Sequence, residues 1–251
     1  MIVHRQPFII HQFDKLSSTN DVLKKMANQP EFTCVVADEQ SAGRGRRERQ
    51  WHSSPGDGLY LSVLLLPEAT KKLSLLSLLA AVSVAETLIE RNVSGVDIKW
   101  PNDVLVNGRK LCGILIESVG TGANAPRVVA GIGVNLNHAT FPAELRATAT
   151  SLKIETGCAV LVDEFRDQLL QQLLVWYGRW KGGEEKMISD RWQQLSSYAL
   201  GQQVNVTLDT ETITGETAGL TEDGALKLRL ADGSFRTILA GEVTRLRKDE
   251  T

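Results

Sequence analysis

The chain has 251 residues, of which 42% are hydrophobic and 23% charged, and its formal net charge is −2. This composition is that of a folded globular protein, and it excludes a disordered chain. The slight acidity also excludes a protein that coats nucleic acid generally. Three scattered cysteines are too few for a disulfide framework, so free thiols in the cytoplasm are expected. The most apolar run, Leu73–Ala85, is about 13 residues long, whereas a membrane-spanning helix needs roughly 20.

The first part of the chain predicts helices alternating with strands. Ser18 or Thr19 can cap a short helix. Apolar or β-branched runs at Phe32–Glu39 and Leu59–Leu66 have the length of strands. A long, mostly buried helix is expected over Leu73–Asn92.

The middle of the chain predicts a hairpin, a buried strand and two helices. Asn107-Gly108 is a strong signal for a two-residue hairpin turn. Arg127–Asn137 reads as a buried strand. Val162–Lys181 has apolar residues at helical spacing, and Glu185–Ser197 is also expected to be helical.

After Tyr198 the pattern changes to five short strands within about 50 residues, which suggests a small β-barrel. The predicted fold is therefore α+β, with a first domain over 1–197 and a small all-β domain over 198–251.

Several common catalytic designs are missing from the sequence. Gly108 and Gly113 have the glycine spacing of a Walker A loop, but Ile114 stands where the lysine should be. "GIGVNL" lacks the third glycine of a dinucleotide fingerprint. There is no G-x-S-x-G elbow, and the four histidines lack metal-ligand spacing. Covalent catalysis and a structural metal site therefore have no visible parts.

The stretch "GRGRRERQW" (Gly43–Trp51), called the arginine loop below, concentrates four arginines and one glutamate. Its glycines allow close approach of a ligand, and guanidinium groups bind phosphate or carboxylate in a bidentate manner. A solvated basic loop and a nucleic-acid contact are the alternatives. The glycines and like charges, with no evident partners, predict a loop that is mobile without ligand.

Three further clusters are ambiguous when taken alone. In "KWPNDV", Asn102 and Asp103 could contact a nucleotide and its magnesium, or could simply form a turn. Lys110 begins the return strand of the hairpin, where a lysine usually faces solvent. Asn135 could bind a nucleotide or close a loop. Together with the arginine loop, these clusters suit ATP-dependent activation of a carboxylic acid, in which substrate and ATP supply the reacting atoms.

The ordered set "SSTN", "QSAGRGRRERQW", "KWPNDV", "RKLCGILIE" and "GIGVNLN" resembles the biotin protein ligases. The resemblance implies a mixed β-sheet flanked by helices, related to class II aminoacyl-tRNA synthetases, followed by an SH3-like barrel. It implies a reaction in two steps. Biotin and ATP, with magnesium, give biotinyl-5′-AMP and pyrophosphate, and a lysine of a biotin carboxyl carrier domain, as in acetyl-CoA carboxylase, then takes the biotinyl group. No tightly bound structural metal is implied.

The resemblance also implies roles for individual residues. The implied catalytic group consists of Lys110, Arg44 and Arg46, and Asp103 would contact magnesium. Biotin contacts are implied for Ser18, Thr19, Asn20, Gln40, Gly43, Arg44, Gly45, Arg46, Trp51, Lys110, Gly113, Gly131 and Gly133. ATP contacts are implied for Arg46, Trp51, Asn102, Asp103, Lys110 and Asn135.

Two departures from the family pattern matter. Glu48 stands where glycine is common, which reduces the charge and flexibility of the arginine loop. Bifunctional members carry an N-terminal DNA-binding domain, for which the roughly sixteen residues before "SSTN" leave no room, so a ligase without DNA binding is expected. Family members include monomers and homodimers, and the sequence does not choose between them. A lipoate or octanoate ligase of the same fold is the alternative function.

Overall fold

The structure, a computed structural model, describes residues 1–47, 49–68, 72–119 and 126–245. Glu48 lies outside the described residues, as do the last six residues of the predicted second domain. An eight-stranded sheet is formed by β1 (Ile2–Arg5), β2 (Phe8–Leu16), β3 (Thr33–Gln40), β4 (Gly58–Leu65), β5 (Val96–Lys99), β6 (Asp103–Val106), β7 (Arg109–Val119) and β8 (Arg127–Asn135). The helices are α1 (Thr19–Lys25), α2 (Leu75–Glu90), α3 (Leu152–Thr156), α4 (Val162–Lys181) and α5 (Glu185–Leu195).

The large sheet is mixed, as predicted. Its strand order is β1-β2-β3-β4-β8-β7-β6-β5, in which β2 and β3 are parallel and the other neighbours are antiparallel. One face packs against α2, which is buried along most of its length because α4 and α5 cover it from outside. A helix that is apolar all round is stable only in such a buried position.

The opposite face of the sheet is covered in part by α1. Leu23 is fully buried there in a small cluster with Val35, Leu64 and Val129. Helix α1 begins at Ser18, whose hydroxyl accepts a hydrogen bond from the backbone N–H of Asp21. Because α1 has only seven residues, it leaves the neighbouring part of this face open.

The C-terminal part forms a separate five-stranded, SH3-like barrel, also as predicted. Its strands are β9 (Leu200–Thr207), β10 (Thr212–Leu220), β11 (Leu226–Arg229), β12 (Phe235–Ile238) and β13 (Glu242–Arg245), in the order β12-β11-β10-β9-β13. Trp100 connects it to the larger sheet by donating its indole N–H to the carbonyl of Gly224 at 3.0 Å. None of the helices in the described ranges is long and apolar enough to cross a membrane.

Most predicted elements are present, with ends that shift by about two residues. The bounds of α4 agree with the prediction. The hairpin turn has positive φ at Asn107 (50°) and Gly108 (76°), the geometry that an Asn-Gly turn favours. The hairpin of β1 and β2 was missed, because its turn contains no glycine and β2 becomes polar after Ile10.

Candidate active site

A cavity of about 640 Å³ opens on the uncovered face of the large sheet. Its walls come from α1, the arginine loop, strands β6 to β8, the segment 136–151 and the barrel. Of the residues predicted for the site, all except Gly43 line this cavity. Gly43 lies at the base of the arginine loop, where a side chain would collide with the carbonyl oxygen of Trp51, 2.7 Å from the Cβ position.

Two glycines and one tryptophan form the floor of the cavity. Gly113 and Gly133 are register partners on β7 and β8. A Cβ atom at Gly133 would lie 2.5 Å from Cε2 of Trp51, and one at Gly113 would lie 2.8 Å from its Cζ3. The prediction placed biotin and the adenylate against these glycines. In this structure, the indole of Trp51 occupies the space that their missing side chains leave.

Neutral polar groups are concentrated at one end of the cavity, beside α1. The side-chain oxygen of Gln40 accepts hydrogen bonds from the backbone N–H of Thr19 at 2.9 Å and from its hydroxyl at 3.2 Å. The hydroxyl of Ser62 lies 2.8 Å from Thr19 Oγ1 and 2.5 Å from Asn20 Oδ1. Ser62 is fully buried and was missed, although a lone serine within the apolar run "LYLSVLLL" was a usable signal.

Arg44 lies at the border of this polar end and is held by two carboxylates. Its Nη2 is 2.8 Å from Oδ1 of Asp21 and 2.6 Å from Oε2 of Glu117. Glu117 was not predicted as a site residue, although it closes the motif "RKLCGILIE". Within the described residues, the charge of Arg44 is therefore already compensated by the protein.

Arg46 has a different environment. Its Nη1 donates to Oδ1 of Asn102 and to the carbonyl of Gly241, each at 3.3 Å, and both acceptors are neutral. Burial lowers the pKa of Arg46, and the nearby carboxylate of Asp103 acts in the opposite direction. A half-buried guanidinium with neutral hydrogen-bond partners is suited to bind an anionic ligand.

Lys110 also lines the cavity. Its Nζ is 2.7 Å from Oδ1 of Asp103 and 5.6 Å from the centre of the Trp51 ring. The backbone N–H of Lys110 donates to the carbonyl of Thr148 at 2.7 Å, which joins β7 to the segment 136–151. The sequence prediction listed Lys110 and Asp103 among the ATP contacts, and in this structure their side chains are paired with each other.

The segment 136–151 supplies the cavity wall that the sequence did not predict. Phe141 and Leu145 line the cavity, and Phe141 stacks on His138 with ring centres 4.9 Å apart. Asn135, a predicted ATP contact, is buried and donates its side-chain N–H to the carbonyl of Thr150 at 3.1 Å. No glycine-rich or charged motif marks this segment, so pattern reasoning gave no reason to select it.

The arginine loop also contacts the barrel. Arg47 donates to the carbonyl of Thr207 at 3.1 Å and pairs with Asp209 at 3.0 Å. Arg49 donates to Oε1 of Glu242 at 2.9 Å. The expectation of unpaired like charges in this loop was therefore wrong, because tertiary contacts provide partners for its arginines. The predicted mobility of the loop stays a prediction.

The site was also predicted to contact magnesium through Asp103. In the described ranges, no three side chains of the His, Cys, Asp or Glu type are grouped so that they could hold a metal ion. One carboxylate is nevertheless a usual protein contribution for Mg²⁺ when phosphate oxygens complete the coordination. Asp103 therefore fits a magnesium ion that arrives with a nucleotide.

Two family models match the chain. The biotin/lipoate A/B protein ligase family covers residues 13–135, and the biotin protein ligase C-terminal domain covers residues 199–245. The two matches include the motifs that line the cavity and the strands of the barrel. The fold and the cavity thus define a ligase of the biotin and lipoate type.

Individual relatives narrow this class. The bifunctional ligase/repressor BirA of Bacillus subtilis (strain 168) is 38% identical over 236 residues, covering 91% of this chain and 71% of the relative. The biotin–[acetyl-CoA-carboxylase] ligase of Paracoccus denitrificans is 34% identical over 235 residues, covering 91% and 97% of the two chains. The solved structure of the Aquifex aeolicus biotin protein ligase in complex with biotin and ATP has a TM-score of 0.84 at 32% identity, covering 95% of this chain and 99% of that chain. The chain belongs to the biotin protein ligase family.

Proposed function

We propose that the chain activates biotin with ATP to form biotinyl-5′-AMP and transfers the biotinyl group to a lysine of a biotin carboxyl carrier domain, as found in acetyl-CoA carboxylase. The observation that supports it is the cavity, which unites a neutral polar end with a cationic end. Biotin has a neutral ring at one end and a carboxylate at the other, and the two ends of the cavity match this division. The relatives named as biotin ligases favour this function over a lipoate ligase.

In the first step, a carboxylate oxygen of biotin attacks the α-phosphorus of ATP, and pyrophosphate leaves. The reaction brings two anions together, so fixed cations lower its barrier more than a protein nucleophile could. Among the lysines and arginines that line the cavity, Arg44 is held by two carboxylates, whereas Lys110 meets one carboxylate and the hydrogen-bond acceptors of Arg46 are neutral. We assign the carboxylate and the α-phosphate to Lys110, and the phosphates to Arg46.

The remaining contacts divide between the two ends. Ser18, Thr19 and Gln40 would bind the ureido group of biotin. Trp51 offers an apolar face for the bound adenylate, and Asn102 and Asn135 would hold the nucleotide. Asp103 would hold the magnesium of ATP, which neutralises phosphate charge when bound.

In the second step, the amine of the carrier lysine attacks the carbonyl carbon of biotinyl-5′-AMP, an amide bond forms and AMP leaves. We place this reaction in the cytoplasm. The free thiols of Cys34, Cys112 and Cys158 suit a reducing compartment. We further propose that 1–197 and 198–251 are separate folding units, an assignment that limited proteolysis can test.

The decisive test is exchange of labelled pyrophosphate into ATP with biotin or lipoate as the acid. We expect exchange with biotin, together with a biotinyl-5′-AMP mass in the purified complex. Exchange with lipoate alone would overturn the proposal and leave the lipoate ligase alternative. A carrier domain with its target lysine changed to arginine is the control for the second step, since it should accept no biotin.

A further inference from the structure

Glu117, near the end of β7, contacts side chains from two separate parts of the cavity wall. Its Oε2 accepts from Nδ2 of Asn20 at 2.7 Å and from Nη2 of Arg44 at 2.6 Å, and its Oε1 accepts from Nζ of Lys24 at 2.9 Å. Asn20 and Lys24 belong to α1, whereas Arg44 is the second residue of the arginine loop. One carboxylate thus holds the biotin-side helix and the arginine loop together.

The charges around Glu117 balance. Glu117 and Asp21 face Arg44 and Lys24, and Asp21 contacts both cations, at 2.8 and 3.0 Å. Burial alone would raise the pKa of Glu117, but hydrogen bonds from Asn20, Lys24 and Arg44 outweigh it and lower that pKa. Glu117 is therefore charged at neutral pH, and its side chain is only 22% exposed.

Asn20 is already committed to the protein in the same way. Its Nδ2 also donates to the carbonyl of Leu115 at 3.3 Å, and its Oδ1 lies 2.5 Å from the hydroxyl of Ser62. The residue is only 4% exposed, and a Cβ atom at Gly131 would lie 2.3 Å from its Oδ1. Its side chain has little surface left for a ligand, although the sequence placed it among the biotin contacts.

We propose that Glu117 is a positioning residue for biotin activation. It holds α1 through Asn20 and the arginine loop through Arg44. The distance between the neutral biotin contacts beside α1 and the guanidinium of Arg46 in the loop is thereby kept constant. Asn20 and Arg44 act in this network as links and not as ligand contacts. This inference rests on the proposed function for its kinetic part only, because the structural coupling can be measured without turnover.

The structural test is amide hydrogen exchange on the full chain without ligands. We expect Glu117→Ala to speed exchange in both α1 and the arginine loop, and Glu117→Gln to do so less, since glutamine can still accept from Asn20. Glu86→Gln is the matched control. Glu86 is 17% exposed and accepts two hydrogen bonds from Arg191, remote from the cavity. Faster exchange in only one of the two segments, or in neither, would overturn the coupling.

The kinetic test compares biotin-dependent pyrophosphate exchange in the same variants. We expect the KM for biotin to rise about tenfold in Glu117→Ala and about threefold in Glu117→Gln, and to stay unchanged in Glu86→Gln. The effect of Glu117→Gln should shrink when Arg44→Gln is already present, because the two residues act through one contact. If the effects of Glu117→Gln and Arg44→Gln on the KM for biotin were additive, or if Glu86→Gln raised this KM equally, Glu117 would be only a general stabilising residue. If the wild-type chain itself shows no exchange with biotin, the proposed function fails, and hydrogen exchange alone decides the coupling.

Discussion

The two ends of the cavity differ in the interactions that their side chains make. At the polar end, Thr19, Gln40 and Ser62 are joined by hydrogen bonds and are mostly buried. At the cationic end, the Lys110 side chain is 36% exposed and meets a single carboxylate. At the polar end, the hydrogen bonds between side chains are already formed without a ligand. At the cationic end, the protein compensates the positive charges only in part.

This difference teaches how each end can contribute to catalysis. A neutral ring gains affinity from donors and acceptors that are already in place, because binding then costs no further conformational entropy of these side chains. An anionic transition state gains most from cations whose charge is still available. Changes at the polar end should therefore act on biotin binding, and changes at the cationic end should act on the rate of the chemical step.

The largest effect is expected for Lys110→Ala. Loss of this ammonium group should lower the rate of adenylate formation by about 10² to 10³-fold, as for other groups that stabilise a developing charge. Single-turnover formation of biotinyl-5′-AMP measures it. Lys181→Ala is the control, since Lys181 is 38% exposed, pairs with Glu31 and lies outside the cavity. Equal rates for Lys110→Ala and wild type would contradict the claim that the cationic end of the cavity acts on the rate of the chemical step.

A second prediction concerns the cavity floor. Gly133→Ala introduces a Cβ atom 2.5 Å from Trp51, so the indole must move. We expect the KM for ATP to rise about tenfold, close to 1.4 kcal/mol of binding free energy. Gly178→Ala, in α4, places its methyl group in open space and should leave this KM unchanged. An unaltered KM in Gly133→Ala would show that the indole does not support the nucleotide.

Ser62→Ala tests the polar end. It removes the buried hydroxyl shared by Thr19 and Asn20, which typically costs about 1 kcal/mol. The KM for biotin should rise about fivefold, while kcat at saturating biotin should stay near the wild-type value. A fall in kcat with no change in KM would contradict the division between the two ends.

The smallest effect is expected from the pH dependence of stability. Burial lowers the pKa of His138 below the ordinary value of 6.5, against the opposing field of Asp57. The unfolded chain then binds a proton more readily than the folded chain, so stability is full above pH 6.5 and is lost as the pH falls below it. His138→Gln should reduce the loss of stability between pH 7.5 and 5.5, because it removes the group that takes up a proton on unfolding. Urea unfolding at the two pH values measures it, and identical losses in both proteins would refute it.

The sequence predicted the local features well, because their signals are local. The bounds of α4 follow from apolar spacing, and the turn at Asn107-Gly108 follows from the positive φ that asparagine and glycine tolerate. The same hairpin brings β6 and β7 together and so sets Lys110 beside Asp103. In each case the partners are close in the chain.

The features that were missed depend on contacts between distant parts of the chain. Arg47 pairs with Asp209, 162 positions later, and no pattern around either residue indicates the other. Glu117 and Ser62 look like ordinary strand residues until α1 packs over them. Phe141 gave no signal because its segment carries neither a motif nor a regular period. Such residues are selected by tertiary packing, which a single sequence does not display.

The opposed glycines on β7 and β8 have a consequence for folding. Only one pairing register sets Gly113 opposite Gly133 and leaves a surface without side chains on which the Trp51 indole can lie. A slip by one residue would turn Ile114 toward the indole and reverse every side chain of that strand. A molecule with misaligned strands would therefore lose its ligand cavity together with its sheet, so binding competence reports directly on the fidelity of strand assembly.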